Sequence, residues 1–102
     1  MSTKAKTIRV QRVQTGVRIE RRILKVLKSL AEYFDITLGD LLEGIVLHAF
    51  EGKCAFSDKT LKHIIEFKKI YGIDFDASAS HHMIDQDEPK GLGQENVKTI
   101  EK

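Results

Sequence analysis

Apolar and polar residues alternate from Val13 to Ile19 (VQTGVRI), with Val13, Thr15, Val17 and Ile19 on one side and Gln14, Gly16 and Arg18 on the other. A period of two marks an extended strand. Ile8 and Val10 begin a similar alternation that falls out of step at Val13, so the strand is expected to start near Arg12. At Glu20 the period becomes helical, and Ile23, Leu27, Leu30, Ala31 and Phe34 line one face. Leu24 and Val26 widen that face beyond a single stripe, which calls for more than one neighbour, and Asp35 ends the helix.

Thr37 and Asp40 fit a capping box, so a second helix is expected from about Leu38, with Gly52 as its stop. Its expected buried positions are Leu38, Leu41, Leu42, Ile45, Val46, Ala49 and Phe50. Ser57 can cap a third helix running to Tyr71, with Leu61, Ile64, Ile65, Lys68 and Tyr71 on one side and Gly72 at its end. Ile73 and Phe75 are expected to fold back onto it. From Asp76 onward apolar residues become sparse and no period remains. The resulting organisation is a flexible basic arm (1–11), a strand–helix–helix unit (12–52), an additional helical segment (53–75) and a disordered tail (76–102). About 75 residues are then left to form a core, a size at which oligomerisation is a common source of stability.

A lone strand has unpaired backbone groups on both edges and needs a partner. No second strand pattern follows in the chain, so the expected partner is the same strand of a second copy, paired antiparallel across a twofold axis with Val13, Thr15, Val17 and Ile19 as the ribbon core. The fold class expected is therefore mainly α: one short N-terminal strand shared across a homodimer, two core helices and a third C-terminal helix.

Charge sharpens this expectation. The formal net charge of the 102 residues is only +2. Residues 1–30 nevertheless carry nine Lys or Arg against Glu20 alone, a net +8, while the other 72 residues carry eight basic and fourteen acidic groups, a net −6. A basic N-terminal part favours an anionic partner, with nucleic acid ahead of a membrane surface.

The stretch VRIERRILKVLKSLAEYFDITLGDLLEGIVLHAF, Val17 to Phe50, resembles the ribbon-helix-helix family of DNA-binding proteins. Including the start of the strand, the resemblance covers roughly residues 12–51. It departs from the family at Glu20, at Asp35 (often glycine) and at Gly39 (often serine or asparagine). The resemblance implies a homodimeric, repressor-like transcriptional regulator whose two-stranded ribbon enters the major groove of double-stranded DNA. Carried over position by position, the base readers would be Gln14, Gly16 and Arg18. The phosphate contacts would be Arg9, Arg12, Arg21, Arg22, Lys25, Thr37, Leu38 and Gly39, the last three at a helix N-terminus. A reading from a different class is an antitoxin-like or other protein-interaction module that holds a protein partner through residues 53–75.

Other chemistry finds little support in the sequence. His81, His82, Asp85 and Asp87 lie close together but lack a firm ligand spacing, so no metal and no cofactor are expected. Cys54 and His48 have no third group to orient them, and a buried Cys54 is expected rather than a nucleophile; the chain is not read as an enzyme. One cysteine cannot form an internal disulfide, and no apolar run approaches a membrane span, which together suggest a cytoplasmic protein.

Overall fold

The computed structural model describes residues 7–86, so the first part of the expected arm and residues 87–102 of the expected tail, Asp87 among them, lie outside the described residues. Three helices follow one another: α1 (Arg21–Phe34), α2 (Leu38–Phe50) and α3 (Asp58–Tyr71), with a single 3-10 turn at Ala77–Ala79. The helix ends have local causes. Glu20 caps α1, its side chain accepting the Ile23 N–H at 2.9 Å, Thr37 Oγ1 accepts the Asp40 N–H at 3.0 Å to start α2, and Ser57 Oγ accepts the Thr60 N–H at 3.2 Å to start α3.

All three helices also stop in the same way. Ile36, Lys53 and Ile73 donate their N–H groups back to the carbonyls of Ala31, His48 and Lys68. In each case the residue before the donor is left-handed: Asp35 at φ 59°, Gly52 at 71° and Gly72 at 74°. This is the Schellman motif, in which glycine costs least and a short acidic or amide side chain is tolerated. Two short turns thus reverse the chain twice and set α2 and α3 on α1.

The centre of the molecule is α1. Val26, Leu30 and Ala31 are buried there together with Leu41 of α2, and Ile64, Phe67 and Tyr71 of α3 pack against that cluster. The inner face of α3 keeps Ile64 and Tyr71 of the stripe expected but runs through Thr60 and Phe67 rather than Leu61 and Ile65. Thr60, not Leu61, is buried, because Ser57 Oγ reaches its hydroxyl at 3.2 Å and removes the cost of burying it, while Leu61 and Ile65 face outward. Ser29 and Tyr71 share a hydrogen bond of 3.2 Å across the α1–α3 seam.

The N-terminal segment overturns the expected fold class. Among the described residues there is no β-strand. Residues 7–20 run without a turn, a bend or a positive φ, and residues 7–19 make no backbone–backbone hydrogen bond with the described chain. Alternation made the segment extended, but a strand also needs a ladder partner, and this chain offers none. The ribbon built on Val13, Thr15, Val17 and Ile19 is therefore absent, and the resemblance to the ribbon-helix-helix family fails at the element that defines it. The DNA-reading repressor mechanism, the double-stranded DNA partner and the ribbon homodimer rested on that strand and fall with it.

Candidate functional site

The surface with the most unmet chemistry lies where the extended segment crosses α1 and α2. A groove of about 700 Å³ is lined by residues 12–17, Ile19, Leu24, Leu38, Gly39 and Leu42. Val13 and Val17 rise from it at 82% and 73% exposure. Beyond the groove, α2 continues the apolar surface. Of the seven positions expected to be buried on this helix only Leu41 is; Leu38, Leu42 and Ile45 are half-buried, while Val46, Ala49 and Phe50 are exposed. Leu47 is exposed at 62% and Phe50 at 79%. The helix has one helical neighbour, α1, and apolar residues around most of its circumference, so a single neighbour cannot cover them.

Two ion pairs hold the extended segment in place. Arg12 grips Glu43 of α2 with both ends of its guanidinium, Nε to Oε2 and Nη2 to Oε1, each at 2.8 Å. The Arg12 hydrogen bond and charge hold the Glu43 carboxyl below the usual carboxylate range, against a smaller opposing effect of desolvation. Further along, Arg18 meets the carboxylate of Asp85, which tethers the segment to the last part of the described chain. The segment is thus strapped down by its polar residues while its valines stay in solvent.

Several residues expected to serve together do meet here, in a different setting. Arg12, Gln14 and Gly16 share the groove with Leu38 and Gly39, and Val13, Thr15, Val17 and Ile19 line it too. Gly16 has no positive φ, and a Cβ built on it meets nothing within 4 Å, so neither conformation nor close approach requires glycine there. Gly39 is equally open. Arg9, Arg21 and Lys25 are exposed and do not line the groove, Lys25 lying instead beside Phe67 and Tyr71 of α3. Thr37 is spent on its cap.

Arg22, one of the residues expected at phosphate, makes several contacts within the fold. Its Nε donates to Glu20 at 2.9 Å, its Nη1 donates to the Gly72 carbonyl at 3.0 Å, and its guanidinium lies 5.2 Å from the Phe75 ring centre. One side chain therefore joins the start of α1 to the end of α3 and the segment after it. Burial pushes the Glu20 carboxyl up, but the Ile23 N–H and the Arg22 guanidinium together outweigh it, and the group titrates below its ordinary value.

Cys54, expected to be buried, is exposed, its thiol directed at the Phe56 carbonyl at 3.6 Å. His48 Nδ1–H donates to the Gly44 carbonyl at 2.7 Å, one turn back along α2. Among the described residues no three His, Cys, Asp or Glu side chains come together in a way that could hold a metal ion. No helix among them is long and apolar enough to cross a membrane.

The Arg12 and Arg18 ion pairs and the exposure of α2 were not foreseen. One signal for the second was present: Leu47 and Val46 lie off the stripe of Leu38, Leu41 and Ile45, so α2 is apolar on more than one side. Neither a protein-family model, a curated protein nor a solved structure matches the chain.

Proposed function

We propose that this chain is a helical protein-interaction module whose binding surface is the apolar area shared by α2 and residues 13–19. The observation that carries this reading is the exposure of Val46, Leu47 and Phe50 on a helix whose only buried residue is Leu41. Contiguous exposed apolar area rimmed by polar groups is where proteins meet other proteins. The inner face of α3 is engaged with α1, so the binding surface is assigned to α2 rather than to residues 53–75. The module works by binding rather than by chemical conversion, and we assign it to the cytoplasm, a compartment suited to a single exposed thiol.

The test is retention of a partner by the full-length chain immobilised in extract of the cells that make it. Wild type should retain one protein in a fixed ratio, and the double variant Leu47→Glu with Phe50→Glu should lose it. Both side chains are exposed, so helix content by circular dichroism should not change. Equal retention by the two chains, or no retained protein, would refute the reading.

A further inference from the structure

We propose that residues 13–19 are a strand-addition site: an extended segment of a partner protein, apolar at alternate positions and acidic at its flanks, pairs with this backbone beside a floor of Leu24, Leu38 and Leu42. The proposal rests on the interaction-module reading and specifies the chemistry of the partner. Any protein that covers Val13 and Val17 also removes the adjoining backbone from water. Residues 13–19 contain no proline, so every one carries a donor and an acceptor, and none of these has a backbone partner among the described residues. An apolar helix laid here would bury side chains and leave those groups unmet, at a cost that offsets the benefit of the apolar burial. An extended segment satisfies those on the edge it pairs with through a ladder, and places alternate side chains beside Val13, Thr15, Val17 and Ile19. The segment is already extended and strapped at Arg12 and Arg18, so little ordering remains for the partner to supply.

Charge selects the flanks. Of the cations in residues 7–25, Arg12, Arg18 and Arg22 are already paired with Glu43, Asp85 and Glu20, while Arg9 and Arg21 have no ion pair among the described residues. Acidic residues at the ends of the incoming segment therefore meet an excess of positive charge. A nucleic acid would answer the charge as well, but it draws no benefit from Val13, Val17 and the leucine floor, and the apolar lining favours a peptide.

The proposal is tested with a fluorescent synthetic peptide in which valine alternates with threonine between terminal glutamates, titrated into the full-length chain. Binding should be saturable and should shift the amide resonances of residues 13–19. It should weaken by about tenfold when lysines replace the glutamates and when Val17 is changed to Asp. A peptide N-methylated at every amide between the glutamates should not bind, because neither of its edges can then form the ladder. Absence of peptide binding overturns the proposal, as does self-association of the chain through residues 13–19, which would assign the groove to a second copy. Duplex DNA competing for the same resonances overturns it as well. If Val17→Asp still retains the cellular partner while the Leu47 and Phe50 double variant loses it, strand addition is refuted and the interaction-module reading stands.

Discussion

α1 and α2 differ by one residue in length, 14 against 13, and α2 carries the higher share of apolar side chains, yet α1 supplies most of the core. The difference is position. α1 has a helix on each of two sides, and its residues Val26, Leu30 and Ala31 are closed off between them. α2 sits at the edge with one neighbour, and its Val46, Leu47 and Phe50 remain exposed to water. Hydrophobicity states what a helix could bury; the number of neighbours decides what it does bury. A surplus of apolar surface at an edge is a standing affinity for something outside the chain.

The largest expected effect breaks the central side of this comparison. Leu30 is 2% exposed, and Leu30→Ala should cost about 3 kcal/mol, the transfer term plus the cavity left between α1 and its neighbours. In a chain this small such a loss is a large part of the whole stability. Leu47→Ala removes the same atoms from the exposed edge and should stay within about 0.5 kcal/mol of wild type. Urea denaturation of the two variants reads both values, and comparable losses would mean that α2 is covered after all.

Arg22→Ala is next. It removes a bond to the cap residue Glu20, a bond to the last carbonyl at the end of α3 and the packing against Phe75, all on the well-packed side. A loss of about 1–2 kcal/mol is expected from thermal melts, and Arg22→Lys should not restore it, since an ammonium cannot address both acceptors and lie against the ring together. Full rescue by lysine would reduce the residue to a surface charge.

Gly44→Ala acts on the edge side and in the opposite direction. A Cβ at Gly44 meets nothing within 4 Å, so the gain in helix propensity, about 1 kcal/mol, should appear undiminished as a higher melting temperature. A packed α2 would have punished the added methyl group.

What could be read from the sequence follows the same division. The helix ends were legible because their causes are local: Thr37 with Asp40, Ser57, and the turn residues Asp35, Gly52 and Gly72 act within a few positions of themselves. Alternation at 13–19 reported an extended backbone, which is a local property, but not a strand, which is a relation to another segment. Burial was legible at Leu30, Ala31 and Leu41 and misjudged at Val46, Ala49 and Phe50, since periodicity gives a face and says nothing about what stands opposite. The ion pairs Arg12–Glu43 and Arg18–Asp85 join residues distant in sequence, and nothing near either partner announces them.

The smallest expected effect is also the most local, and it separates the strap from the core. Glu43 titrates below its ordinary value in the folded chain because Arg12 donates two hydrogen bonds to it. For a carboxylate depressed in this way, the stabilisation is fully present above the ordinary glutamate range, around pH 4, and is lost as the pH falls through the lower folded value. Acidification should therefore release residues 12–17 from α2 before anything happens at Leu30. Both members of the pair are well exposed, so global unfolding registers little of this, and the amide resonances of residues 12–17 are the proper readout. They should move with the Glu43 carboxyl, while the methyl resonances of Leu30 stay fixed. Glu43→Gln should set the segment in its released position at neutral pH and abolish the titration. Glu20 titrates in the same direction, but its bonds run to Ile23 and Arg22 in the first turn of α1, so its change should appear at those amides instead. If residues 12–17 follow Glu20 rather than Glu43, or move only when Leu30 does, the strap is not held by Arg12, and the segment belongs with the core rather than with the open edge.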